Sequence, residues 1–315
     1  MHFAADRAES IANVLRRALP AWSACTLRQR LRHGLVFVDD VPVRDPRHPV
    51  VSGAAVRVDA PRPRDAASLR PPFPILHEDA SLIVVDKPAG LRSVADAGES
   101  DRTVTRLLKR HLAARRSRRP DAAFGRPSRR GDSRGTPGCW VVHRLDRATS
   151  GVLALARSWR AKQTLVAGWH TVEKVYYAVT CGLPDPPEGI VEEPLKEGAG
   201  LFVRVSRAAD AAPALTRYRV LAAESSRALV ELRPETGRKH QLRVHLAWLG
   251  TPVAGDERYG HSRPPPGCPR RLYLHAARLT LPHPADGRRI TFFSPPPAEF
   301  SAAVPAAREM LQSLQ

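Results

Sequence analysis

Residues 143–156, HRLDRATSGVLALA, carry the densest set of side chains able to do chemistry. In an extended segment alternate side chains share a face, which sets Arg144 and Asp146 on one side and His143 and Leu145 on the other. A guanidinium is thereby placed beside a carboxylate. An ionised carboxylate serves as nucleophile or general base, and a nearby cation favours its charged form. Standing alone, an Arg-x-Asp pair is more often a surface ion pair than a catalytic one. Thr149, Ser150 and Gly151 are expected to turn the chain into the apolar strand GVLALA, so that a loop displays these groups from a rigid support.

A second run, RPETGRKHQLRVHLAWLGTPVAGDERYG at 233–260, reads as a helix starting near Arg238 after a Thr236-Gly237 turn. Leu242, Leu246 and Leu249 fall on one side of it, and Lys239, Arg243 and Ala247 on another. Arg243 is thus expected to face away from the core and to meet something outside it. Metal chemistry finds no support: His240 and His245 are five apart, off the i, i+4 spacing of a helical zinc pair, and the H-E-x-x-H glutamate is missing. The four cysteines, at 25, 139, 181 and 268, are too scattered for a C-x-x-C pair and too few for a disulfide framework. With no Walker loop or dinucleotide fingerprint, phosphoryl and hydride transfer lose their usual apparatus. The expectation is a site with no metal and no cofactor.

These runs sit in a chain of 315 residues, 43% hydrophobic, long enough for one large core and a small satellite domain. Residues 9–60 read as the satellite. A helix near Ser10–Ala18 has Ile11, Val14 and Leu15 at helical spacing, and a second, from Thr26 to His33, stops at Gly34. The alternating runs LVFVDDVPV and AAVRVD follow. Residues 61–72, rich in proline and polar side chains, are the expected linker. The larger domain, 73–305, is mostly strand-like, with runs at 81–86, 140–143, 151–156, 174–181, 228–233, 273–281 and 289–293 and a further helix at Trp159–His170. Many strands with few helices predict an α+β domain built on a mixed or antiparallel central sheet with flanking helices.

Between Arg102 and Arg134, twelve Lys or Arg residues stand against Asp121 and Asp132, and 102–139 reads as a basic, partly flexible insertion. Over the chain, 50 Lys and Arg oppose 31 Asp and Glu, a formal charge of +19 and a sequence pI near 11.0. Such a surface attracts polyanions, nucleic acid first among them, although an Arg-, Ala- and Pro-rich coding bias produces the same sum. No stretch approaches the roughly 18 apolar residues of a membrane span, and MHFAADRAES lacks the layout of a secretory signal. A cytoplasmic protein is expected, and a monomer, since nothing resembles a dimer seam.

Together the pieces resemble the RluA-type family of pseudouridine synthases over most of the chain. They occur in the family's order: DKPAGL at 86–91, HRLDRATSG at 143–151, KVYYA at 174–178, TGRKHQLRVH at 236–245, GDERYG at 255–260 and LHAARLTLPHP at 274–284. The resemblance implies a cofactor-free isomerase of uridines in structured RNA, with large-subunit ribosomal RNA ahead of transfer RNA. It implies that Asp146 is the catalytic aspartate and that Arg144 helps to hold the flipped nucleotide and fills the space it leaves. Tyr176 would pack on the target base and is a candidate to accept the C5 proton; Arg243 would pair with the catalytic carboxylate. Thr149, Arg238, Lys239 and His240, inside the same motifs, are the further expected RNA or substrate contacts. Tyr177, Leu242 and Leu246 are expected in the core. The module at 9–60 is similar to the S4 RNA-binding domain, which makes Arg28 and Arg32 of its second helix RNA contacts; Asp39-Asp40 stands where that domain usually has Asn-Gly. RSVADAGES, at 92–100, departs from the histidine-proline or proline-rich turn of many relatives, and the basic insertion is longer than expected. The rival reading is a non-catalytic RNA-binding or ribosome-assembly factor on the same scaffold.

Overall fold

The structure, a computed structural model, describes residues 1–59, 71–95, 102–118, 138–260 and 264–313. The chain divides into two compact units, Met1–Leu69 and Arg70–Gln315. Most of the expected linker lies outside the described residues.

The smaller unit contains β1 (His2–Ala4), β2 (Glu9–Ser10), α1 (Ile11–Ala18), α2 (Ala24–Arg32), β3 (Val36–Val38), β4 (Val41–Val43), β5 (Pro49–Val50) and β6 (Ala55–Val58). Its sheet has the order β1-β6-β3-β4, so the unit begins ahead of residue 9, where sequence alone shows no strand. Ile11, Val14 and Leu15 of α1 and Leu27 and Leu31 of α2 are buried with Val36, Val38, Val43, Val56 and Val58. The periodicity that predicts the helices is therefore the one that fills the core. The β3–β4 hairpin turns through Asp39 and Asp40, both left-handed at φ 48° and 62°. That is the geometry a two-residue hairpin demands and one that aspartate tolerates, and Asp39 Oδ1 ties the turn to β6 by accepting the Ala55 amide at 2.8 Å.

The larger unit contains β7 (Ile75–Glu78), β8 (Leu82–Lys87), α3 (Val104–Arg118), β9 (Trp140–Val141), β10 (Ser150–Ala156), α4 (Trp159–Ala167), β11 (Glu173–Cys181), β12 (Glu188–Val191), β13 (Leu195–Glu197) and β14 (Val203–Val205). After these come β15 (Thr216–Glu224), β16 (Arg227–Pro234), α5 (Gln241–Trp248), β17 (Leu274–Pro282), β18 (Arg289–Phe293), α6 (Glu299–Ala303) and α7 (Arg308–Gln312). The main sheet runs β12-β15-β16-β11-β17-β10-β8-β7, with β18 beside β17 and β9 beside β10. Its pairings are antiparallel except that β10 and β17 run parallel at its middle, so the mixed sheet of an α+β domain is present. Helical structure continues past residue 305 into α7. Among the described residues no helix is long and apolar enough to cross a membrane.

Strand β10 is buried throughout, and its alternation serves two layers. Leu153 and Leu155 join Val104, Leu108 and Leu112 of α3, while Val152, Ala154 and Ala156 join Ala161 and Leu165 of α4. This corrects the reading of 102–139: its first part, through Arg118, is a helix whose apolar stripe covers the sheet. The rest, 119–137, lies outside the described residues.

A further correction concerns the turn expected at Thr149–Gly151, because Ser150 and Gly151 already belong to β10. Gly151 has φ 112°, and a Cβ there would lie 2.1 Å from the Ala276 carbonyl oxygen of β17. Gly151→Ala is expected to cost about 2–4 kcal/mol, read from the denaturant midpoint, by forcing apart the parallel pair that anchors the Asp146 segment.

Candidate active site

Asp146 lies in the irregular stretch between β9 and β10, and its backbone is fastened on several sides. Leu145 is buried in the α3 core, and Ser93 Oγ bridges its peptide groups, accepting from Leu145 N at 3.1 Å and donating to Leu145 O at 2.9 Å. Thr149 N donates to Asp146 O at 3.2 Å, and Gly90 N donates to Arg147 O at 2.8 Å. The Lys87 ammonium, fully buried, donates to the carbonyls of Arg147 (3.3 Å), Pro88 (3.0 Å) and Leu91 (2.8 Å). The DKPAGL loop and the Asp146 loop are thus tied through one nitrogen.

The Asp146 carboxylate is 27% exposed, and its Oδ2 stands 3.3 Å from Arg243 Nη1 and 3.9 Å from His240 Nε2. Arg243 is not the free cation expected from its helix face. It is 9% exposed and grips Asp256 in bidentate fashion, Nε to Oδ2 at 2.7 Å and Nη2 to Oδ1 at 2.8 Å, leaving Nη1 for Asp146. Burial pushes the Asp256 carboxyl up, and the hydrogen bonds and charge of Arg243 outweigh it, holding the group below the usual carboxylate range. Gly255, at φ 73°, permits this approach, since a Cβ there would meet the Arg271 carbonyl at 1.9 Å.

Helix α5 starts at Gln241 rather than at Arg238. His240 is left-handed at φ 54°, and Gln241 Oε1 accepts from Thr236 Oγ1 at 2.7 Å and Arg238 N at 3.0 Å, closing a turn before the helix. Arg238 and Lys239 therefore belong to that turn. His240 Nδ1 and the Tyr259 hydroxyl are 2.5 Å apart, which fixes the ring with Nε2 toward Asp146. Burial lowers its pKa, against the opposite pull of Asp146. His245 engages Thr216 Oγ1 and the Glu193 carbonyl through its two ring nitrogens.

Tyr176 projects from β11 at a bulge in the pairing with β17. Burial first, and the Asp146 carboxylate second, raise its phenol above the ordinary value, so it is neutral at physiological pH. Tyr177 lies in the core, as expected, with Leu242 and Leu246. Arg144, Asp146, Thr149, Tyr176, Arg238, His240, Leu242 and Arg243 all line one open cleft of about 510 Å³, a volume that includes solvent at its mouth.

Other expected contacts are placed differently. Lys239 is not on the cleft wall and pairs with Glu197 at 2.5 Å. Thr149, although it lines the cleft, is 2% exposed. Arg144 is exposed and has no ion-pair partner among the described residues, so the arginine meeting Asp146 comes from α5, not from the adjacent position. Arg28 and Arg32 are exposed on α2 of the smaller unit. Sequence reasoning missed Asp256, Lys87, Tyr259 and the cleft-lining Lys174, although DKPAGL, GDERYG and KVYYA each contain one or two of them.

The family model described as RNA pseudouridylate synthase matches residues 81–248, more than half of the chain. The chain belongs to that family. It is similar to an uncharacterized RNA pseudouridine synthase of Chloroflexus aurantiacus, 35% identical over 93% of this chain and 88% of the relative. It is also similar to ribosomal large subunit pseudouridine synthase D of Nitrosomonas europaea, 32% identical over 95% of this chain and 84% of the relative. Among solved structures it resembles human RNA pseudouridylate synthase domain containing 4, with a TM-score of 0.56 and 28% identity over 74% of this chain and 92% of that one. An RNA pseudouridine synthase is an isomerase, and the non-catalytic alternative is not favoured.

In this pseudouridine synthase Lys87 is the buried group whose removal has the clearest signature. Burial pulls its pKa down to about 7, partly opposed by Asp146. The unfolded chain holds the proton up to about 10.5, so between these values unfolding takes up a proton and stability rises with pH. Lys87→Met, which takes the Lys87 donor from the Pro88 and Leu91 carbonyls and leaves Arg147 O with the Gly90 amide alone, is expected to cost about 2–4 kcal/mol in chemical denaturation. The gap between wild type and variant should widen as pH goes from 7 to 10; a constant gap would contradict the depressed value.

Proposed function

We propose that this enzyme isomerises selected uridines of large-subunit ribosomal RNA, with the Asp146 carboxylate as the reacting group. The observation that carries this reading is the convergence of Asp146, Tyr176 and the Asp256-held Arg243 on one open cleft. Isomerisation breaks the N1–C1′ bond, turns the base and joins C5 to C1′ with loss of the C5 proton, so every atom needed is in the substrate. An ionised carboxylate suits either attack on C1′ or proton removal from the ribose. The partial exposure of Asp146 leaves it reachable, and Arg243 favours its charged form.

A stacked base is out of reach, so the target nucleotide is extruded into the cleft, against the Tyr176 ring. Since that phenol is neutral, it can take the C5 proton only by passing its own proton on, and Asp146 is the carboxylate that perturbs it. Arg144, exposed at the rim, is assigned to the displaced nucleotide, and Arg238 and His240 to its surroundings. Arg28 and Arg32 of the S4-like unit add phosphate contacts. The ribosomal target follows the Nitrosomonas relative's name. The test is tritium release from RNA carrying C5-labelled uridine, with large-subunit ribosomal and transfer RNA transcripts compared. Release from the ribosomal transcript, with pseudouridine mapped at defined positions, is expected; release from transfer RNA alone would overturn the target.

A further inference from the structure

We infer that His77, Asp79 and His283, away from the reaction cleft, form a binding site for a divalent transition-metal ion of the zinc type. Among the described residues this is the group of His, Cys, Asp or Glu side chains whose candidate ligand atoms all lie within 4.8 Å of one another. His77 is on β7, Asp79 is in the β7–β8 turn, and His283 follows β17 in the turn to β18. The ion would therefore bind the edge strand β7 to the β17–β18 turn. None of the three lines the cleft.

The cluster is organised as a ligand set. Asp79 Oδ1 is occupied by the amides of Ser81 (2.7 Å) and Leu82 (2.8 Å), which fixes the carboxylate and aims Oδ2 at the histidines. His77 Nε2 lies 2.6 Å from that Oδ2, and His283 Nε2 lies 2.9 Å from it. The adjacent Glu78 is held by Arg115 and Arg157. Two imidazole nitrogens and one carboxylate oxygen are a zinc-type donor set, and three protein ligands leave a position for water.

The far side of His283 adds an independent observation. Its Nδ1 is buried without a hydrogen-bond partner, and Asp286 Oδ1 stands 3.4 Å from it. If neutral His283 donated from Nε2 to Asp79, its Nδ1 lone pair would face the Asp286 carboxylate, which is repulsive, so the ring between these two carboxylates calls for a positive charge, a second proton or a metal ion. With a metal on Nε2 the proton sits on Nδ1 and points at Asp286, the outer-shell carboxylate arrangement that orients metal-bound histidines. Ligands about 2.0–2.1 Å from a tetrahedral ion are roughly 3.3 Å apart, so the two histidine contacts to Asp79, at 2.6 and 2.9 Å, must open by about half an ångström. His77 is one-third exposed and packs only its ring against Phe292, at 5.3 Å between centroids, so it can turn that far.

The test uses the full-length protein stripped with a chelator, beside His77→Phe and His283→Gln. Equilibrium dialysis against Zn²⁺ is expected to show one more bound equivalent in the wild type than in either variant. Co²⁺ in its place should give visible bands of nitrogen and oxygen ligation that both variants lose, with circular dichroism confirming that they are folded. Equal uptake by all three proteins, or none by the wild type, would leave a hydrogen-bonded triad and overturn the site. Should a variant misfold, proton spectra of the Co²⁺ wild type decide alone: paramagnetically shifted signals from two imidazole rings support it, and thiolate charge-transfer bands refute it. Neither result bears on uridine isomerisation, which needs no group of this cluster.

Discussion

Asp146→Asn is expected to abolish tritium release from C5-labelled RNA, by at least about 10⁴-fold, while RNA affinity changes only a few-fold. The substitution is close to isosteric, and it removes the charge that either route requires. The fold should tolerate it, because Arg243 keeps both bonds to Asp256 and loses only a partly exposed contact of 3.3 Å. Such a contact is worth at most about 1 kcal/mol, so the denaturation midpoint should scarcely move. Single-turnover kinetics with enzyme in excess over RNA separate the outcomes. Measurable isomerisation by the variant would remove Asp146 from the chemistry, and lost binding would make it a recognition residue.

How far the site could be read from sequence depends on what a linear motif encodes. HRLDRATSG and TGRKHQLRVH supplied Asp146 and Arg243, ninety-seven positions apart and in contact in the fold. Periodicity could not supply the sharing of Arg243 between two carboxylates, because that rests on Gly255 bringing the Asp256 segment against Arg271. Nor could it supply the start of α5. Leu242, Leu246 and Leu249 mark a helix face, but a left-handed His240 and a bracing Gln241 side chain start the helix about one turn later than composition suggests. An extended Arg-Leu-Asp predicts Arg144 beside Asp146, whereas the real segment is irregular and secured by Ser93 and Lys87 from another part of the chain.

The fold shows the same division. Strands with continuous apolar runs, such as β8 and β10, are legible because both of their faces are covered, and so is the parallel pairing's need for cover on two sides. Strand β15 is not: in TRYRVLAAE only Thr216 and Tyr218 are buried, and its short apolar run, residues 220–223, does not mark the buried face. Helix α3 was hidden by its charge. Val104, Leu108 and Leu112 recur every four residues, yet the arginines between them give the segment the composition of a solvated insertion.

Asp256→Ala tests the other half of the site and should be the most destabilising substitution considered. It strands the Arg243 guanidinium, 9% exposed, with Nε and Nη2 unpaired, and it deprives the amides of Arg258 and Tyr259 of their acceptor. Breaking a buried ion pair from one side costs about 3–5 kcal/mol, because the remaining charge stays out of water. Urea denaturation should show that loss, together with a fall in activity of at least about 10²-fold as Arg243 loses its aim at Asp146. Low stability alone would also lower activity, so the double replacement Arg243→Met with Asp256→Leu separates the effects. Two apolar side chains need no desolvation and should return much of the stability. If Arg243 acts on the Asp146 carboxylate, the double variant stays inactive despite its recovered fold; recovered turnover would make the Arg243–Asp256 pair a scaffold and leave Asp146 to work without its cation.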